Sequence, residues 1–198
     1  MHLVTNLGDL AVLLPASLGL IVFLAWIDSR RDAAAYTAAA LVCLTAALFA
    51  KLAFAACAGR YSLFGVESPS GHVAFSATFY GCFAVLFGAG RTLARRLALY
   101  AGAAALVLLI GASRIALEAH TAPEVIVGAA IGAASVVFFN ALRVQPKPLE
   151  LSSRTVVRMS PFAVLYALSF LLLAGHWTAE PLIDEIAAQL GVSLHLCR

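Results

Sequence analysis

Residues 97–113 read LALYAGAAALVLLIGAS, an apolar run that Arg95 and Arg96 precede and Arg114 follows. Its length falls within the roughly 17–25 residues that a helix needs to cross a lipid bilayer. It contains neither proline nor a charged residue, so nothing in it interrupts a helix or resists hydrocarbon. The stretch therefore predicts a transmembrane helix with a charged boundary at each membrane surface.

The rest of the chain has the same character. Hydrophobic residues make up 63% of its 198 positions and charged residues 12%, whereas soluble domains have about 25% charged residues. Five further stretches of spanning length centre on Leu10–Trp26, Ala33–Ala56, Val73–Gly90, Val125–Leu142 and Met159–Gly175. We therefore predict an all-α polytopic membrane protein, with one domain of six transmembrane helices over residues 1–177. The net charge of +3 argues against nucleic acid as a partner.

The basic residues indicate how the helices are oriented. The loops after spans one, three and five carry nine of the 13 Lys and Arg residues, which predicts that these loops are cytoplasmic. Both termini and the loops near residues 57–72 and 113–124 then lie outside, on the periplasmic side of a bacterial inner membrane. Residues 178–198 form an amphipathic segment on that side, as a surface helix or as a lid. Cys57 and Cys197 share this side, so a disulfide between them is left open.

The two outside loops hold the polar residues that a membrane protein has least reason to keep. Residues 67–72 read ESPSGH, and the second loop reads Ser113-Arg114, five residues, His120, three residues, Glu124. Ionisable groups at membrane depth are costly, and a functional role is the default expectation for them.

Several cations are expected at the same membrane surface. Lys51 lies at the outer end of span two, with Arg60 beyond it. The four cations or potential cations Lys51, Arg114, His72 and His120 would repel one another unless an anion lay between them. Phosphate suits such a cluster, because Arg offers a planar fork to its oxygens and Lys a point charge.

The PSGH motif of residues 69–72, followed by an SR-x5-H motif that ends at His120, resembles the second and third signatures of the phosphatidic acid phosphatase type 2 superfamily. That family also includes vanadium haloperoxidases and bacterial acid phosphatases. The resemblance covers roughly residues 51–128. Two positions depart from the family pattern: the first signature has Lys, six residues and then Arg, but Ala58 stands at that spacing from Lys51, and Glu124 replaces an Asp.

The resemblance implies an enzyme that hydrolyses lipid phosphates or pyrophosphates without a metal ion or another cofactor. His120 would attack phosphorus and form a phospho-histidine, Glu124 would orient that histidine, and His72 would act as general acid and base. The residues that would bind the substrate phosphate are Lys51, Arg114, Ser70, Gly71 and Arg60.

Several alternatives stay open at this stage. Residues 121–124, Thr-Ala-Pro-Glu, also fit a helix-capping box, so Glu124 can serve as a cap, as an orienting residue, or as both. The substrate can be undecaprenyl pyrophosphate, phosphatidylglycerophosphate, phosphatidic acid or a lipid A phosphate. A phosphotransferase would use the same intermediate, and a non-catalytic relative would only bind lipid. The oligomeric state is not indicated.

Overall fold

The computed structural model describes residues 1–56, 68–143 and 153–174, together with Glu185, Ile186 and Gln189. Within these ranges the regular structure is helical and contains no strand. The helices are α1 (His2–Asn6), α2 (Leu10–Trp26), α3 (Arg30–Ala56), α4 (Gly71–Gly88), α5 (Leu93–Ala116), α6 (Ala122–Leu142) and α7 (Ser153–Leu173).

Six of these helical segments are long and apolar enough to cross a membrane, which confirms the predicted all-α architecture of six spans. Some boundaries differ, because residues at the membrane surface also join the helices: α3 begins at Arg30 and α5 at Leu93. The short helix α1, which no pattern indicated, precedes the first span. The side of the membrane on which the termini lie stays a prediction.

Some expectations fall on parts of the chain that the structure does not describe. Arg60, Cys57 and Cys197 lie outside the described residues. The amphipathic segment 178–198 is described only at Glu185, Ile186 and Gln189, which are helical.

Helix α4 lies at the centre of the bundle and packs against α3, α5 and α6. Its closest approach is to α6, where Gly128 and Gly132 present no side chain. A Cβ atom on Gly128 would lie 2.5 Å from the Ser70 carbonyl oxygen, and one on Gly132 would collide with the Ala74 carbonyl. Glycines four residues apart let two membrane helices bring their backbones together. The start of α4 is thereby held against the first turns of α6.

A buried ion pair joins α3 to α6 at the opposite end of the bundle. The Arg143 Nε donates to Asp32 Oδ1 at 2.6 Å, and its Nη2 approaches Oδ2 at 3.4 Å. The Ser29 hydroxyl donates to the same Oδ2 at 2.7 Å. Charges at this depth need such partners. Arg143, which the sequence placed in a basic loop, is therefore a structural link between two spans.

Candidate active site

Four helix ends meet at one end of the bundle, because successive spans run in opposite directions. They are the C-terminal ends of α3 and α5 and the N-terminal ends of α4 and α6. The Ser70 backbone N–H donates to the Glu124 carbonyl at 3.2 Å and joins the start of α4 to the start of α6. The two motifs singled out in the sequence therefore lie side by side, although His72 and His120 are 48 residues apart in the chain. The glycine packing of α6 against α4 supports this contact.

The carboxylate of Glu124 is the centre of the cluster. Its Oε2 lies 3.1 Å from Nδ1 of His120 and accepts the Thr121 backbone N–H at 2.9 Å. Its Oε1 accepts the Ser68 backbone N–H at 2.7 Å. Both Glu124 and His120 are buried, with exposed fractions of 5% and 8%. Glu124 therefore contacts the histidine and also completes the capping box of α6 with Thr121, so both interpretations drawn from the sequence correspond to contacts.

A tight turn after α5 brings His120 to this carboxylate. Glu118 has a left-handed backbone, with φ of 55°. Its N–H bonds to the Ile115 carbonyl at 2.9 Å, and the Ala119 N–H bonds to the Arg114 carbonyl at 3.0 Å. These two bonds form a Schellman motif, which usually places glycine at the left-handed position. With Nδ1 turned to Glu124, the other ring nitrogen of His120, Nε2, points away from that carboxylate.

The start of α4 offers donors to an anion. Ser70 is the N-cap of α4, but its side chain makes no capping hydrogen bond. Its buried hydroxyl has no hydrogen-bond partner within the described part of the chain. Gly71 lies against Lys51, whose Cε would be 3.8 Å from a Cβ atom at that position. Hydroxyl and backbone donors at a helix N-terminus beside a lysine suit a phosphate.

The remaining predicted residues lie around these two helix ends. His72 is buried in the first turn of α4. Arg114 lies in the last turn of α5, and its carbonyl also accepts the His120 N–H at 3.3 Å. Lys51 is buried near the end of α3. Among the residues that the structure describes, no group of three or more His, Cys, Asp or Glu side chains could hold a metal ion, and metal independence stays a prediction.

The N-terminal segment lies against the start of α4, a contact that the sequence analysis missed. A Cβ atom on Gly8 would lie 3.4 Å from the His72 carbonyl and 2.7 Å from the Ile110 side chain. The next residue, Asp9, is buried and caps α2 by accepting the Ala11 N–H at 2.9 Å. An Asp directly before an apolar run is a recognisable N-cap signal, but nothing local indicates that Gly8 lies against the start of α4.

An apolar groove of about 630 Å³ runs between α4, α5 and α6. Ala77 and Ala129 line the end near the site, roughly one and a half helical turns from His72 and Glu124. Leu108 at its edge is 72% exposed on the outside of the bundle. The groove therefore opens towards the membrane, and we call it the lateral groove.

Comparison with known proteins indicates the family of this chain. The model of the PAP2 superfamily matches residues 56–147. A protein of Klebsiella pneumoniae, described as an uncharacterized 22.5 kDa protein in the cps region, is 31% identical over 144 residues. The matched residues cover 72% of this chain and 68% of that protein. No solved structure matches the chain significantly.

Proposed function

This chain belongs to the PAP2 superfamily, and from that membership we propose that it removes a phosphate from a membrane lipid through a phospho-histidine intermediate. The observation that carries the proposal is the contact of 3.1 Å between Nδ1 of His120 and Oε2 of Glu124. This contact directs Nε2 of His120 away from the carboxylate and stabilises the positive charge that the ring gains when Nε2 bonds to phosphorus. Two backbone N–H donors hold the carboxylate in place.

The reaction proceeds in two displacements at phosphorus. In the first, His120 Nε2 forms a bond to phosphorus while the bond to the lipid oxygen breaks, and His72 gives its proton to that oxygen. In the second, His72 takes a proton from water, and the resulting oxygen displaces His120 to release phosphate. Lys51, Arg114 and the Ser70 hydroxyl offset the charge that spreads over the three equatorial oxygens.

A lipid substrate is supported by the surroundings of the site. The cluster lies at the end of an apolar bundle, and the lateral groove begins close below it. A phosphate at the membrane surface with a chain in the groove would occupy both. On the predicted topology this surface is periplasmic, and the membrane is the bacterial inner membrane.

The direct test is phosphate release from a panel of lipid phosphates and pyrophosphates by purified protein. We expect His120→Ala and His72→Ala each to lower the rate at least about a hundredfold. His2→Ala is the matched control, because His2 is exposed in α1. We expect an acid-labile phospho-enzyme in the wild type that is absent from His120→Ala. We also expect activity without added divalent metal and inhibition by vanadate.

Four outcomes would contradict the proposal. Near-normal turnover in either variant would remove that histidine from the mechanism, and a metal requirement would indicate different chemistry. Transfer of the phosphate to an added alcohol in preference to water would identify a phosphotransferase. Absence of turnover with every substrate would favour a non-catalytic protein that only binds lipid.

A further inference from the structure

A second groove lies at the end of the bundle opposite the histidines, between α4, α5 and α7. It has a volume of about 890 Å³, and we call it the distal groove. Phe83 and Phe87 of α4 form one wall, with ring centroids 4.2 Å apart. Met159 and Ala163 of α7 line the facing wall. The groove is therefore bounded by apolar side chains from three spans.

Two arginines stand at the mouth of the distal groove. Arg91 lies in the turn between α4 and α5, and Arg95 is exposed in the first turn of α5. Gly90, with φ of 70°, makes the turn that begins this loop, and the Arg91 N–H bonds to the Gly88 carbonyl at 3.2 Å. The first turn of α5 has no acidic residue. The mouth of the groove is thus positively charged and its interior is apolar.

This combination favours a lipid over a peptide segment. A peptide backbone in the groove would lose the hydrogen bonds that its N–H and C=O groups make with water, and the apolar walls would not replace them. A hydrocarbon chain has no such groups. Guanidinium groups bind phosphate oxygens in pairs, and basic pockets between membrane helices are known to hold anionic head groups.

We propose that the distal groove binds an anionic phospholipid, with its phosphate at Arg91 and Arg95 and an acyl chain against Phe83 and Phe87. On the predicted topology, this end faces the cytoplasmic leaflet. The site is separate from the catalytic cluster, and its lipid is a bound component of the membrane domain and is not hydrolysed. Lipid binding in the distal groove therefore does not depend on the proposed phosphatase activity.

The test compares lipid retention and thermal stability of protein in nanodiscs that contain phosphatidylglycerol or only phosphatidylcholine. Native mass spectrometry should detect retained phosphatidylglycerol in the wild type. Arg91→Gln/Arg95→Gln should lower this preference about thirtyfold, given the attraction of two cations for an anionic head group. The matched control is Arg30→Gln/Arg31→Gln, which removes two exposed arginines at the same end of the bundle but outside the groove.

A second pair of variants tests the chain-binding part of the groove. Ala163→Phe should fill the groove and reduce retention while both arginines remain, whereas Ala105→Phe, on the exposed surface of α5, should not. Melting temperatures in lipid-free detergent establish that each variant is folded. If the double variant does not fold, Arg95→Gln alone serves, because Arg95 is exposed.

Three results would overturn the inference. The first is equal retention of the two phospholipids by the wild type. The second is an equal loss from the Arg30/Arg31 control, which would indicate general attraction to the surface. The third is loss of retention in Arg114→Gln with no loss in the Arg91/Arg95 variant, which would assign the bound lipid to the catalytic cluster.

Discussion

Gly128→Ala is the substitution that most directly tests how the bundle positions the candidate site. A Cβ atom at this position would lie 2.5 Å from the Ser70 carbonyl oxygen, whereas ordinary van der Waals contact begins near 3.4 Å. The start of α4 must therefore move away from α6 by about 0.9 Å, the difference between these two distances. Ser70 and His72 would move with it, while Glu124 and His120 remain with α6.

The expected cost follows from that displacement. Misplacement of a catalytic group by 1 Å can lower a rate about a hundredfold, so we expect Gly128→Ala to lose about ten- to a hundredfold in phosphate release. Overpacking of a buried contact also destabilises a protein by about 1–3 kcal/mol. The rate loss should persist in the folded, monodisperse fraction, because it arises from geometry and not from unfolding.

The matched control is Gly102→Ala in α5. A Cβ atom there would have no heavy atom within 4 Å. We expect an unchanged rate and a stability gain of about 0.5–1 kcal/mol, because alanine is the better helix former. Both variants are assayed for phosphate release and for melting temperature on the same preparations. A wild-type rate per folded molecule of Gly128→Ala would refute the claim that the close approach of α4 and α6 sets the geometry of the site.

Substitutions at three other positions test the roles of single residues. Glu124→Gln should lose far more rate than stability if the carboxylate orients His120. Full activity, with a loss of about 0.5–2 kcal/mol in the free energy of unfolding, would show that Glu124 acts only as a helix cap. Glu118→Gly should keep the rate and raise the free energy of unfolding by up to about 1 kcal/mol, because the left-handed backbone at this position is costly for residues other than glycine. Glu118→Ile should lower both the rate and the stability. Equal behaviour of the two variants would show that this turn does not position His120. Ala133→Trp should narrow the lateral groove and lower turnover of long-chain lipid phosphates but not of short-chain ones. Ala105→Trp is the control. Equal losses of turnover on both substrates would show that the lateral groove does not bind the lipid chain.

The spans were predictable from the sequence because length and composition alone decide whether a helix crosses a membrane. His72, Arg114 and His120 could be singled out because two short motifs contain them, and Glu124 was recognised both as a cap and as a partner of His120. The catalytic roles of these residues stay predictions. Arg60, the least supported member of the set, lies outside the described residues.

The sequence did not indicate the contacts that depend on which helices are neighbours. The contact of Gly128 with the Ser70 backbone is visible only once α6 is known to lie against α4. The same holds for Gly8 beside His72. The turn at Glu118 was missed for a different reason, because its left-handed position carries glutamate where glycine is the usual signal.

The ion pair between Asp32 and Arg143 also has a consequence for the order of events during synthesis. Its partners are 111 residues apart in the chain, so at about 5–20 residues per second Asp32 is synthesised roughly 5–20 s before Arg143. During that interval its carboxylate has a local partner in the Ser29 hydroxyl, at 2.7 Å, and lies in the first turn of α3, where the helix dipole favours a negative charge. Once Arg143 has been made, the ion pair can join α3 to α6 before the residues of α7 have followed.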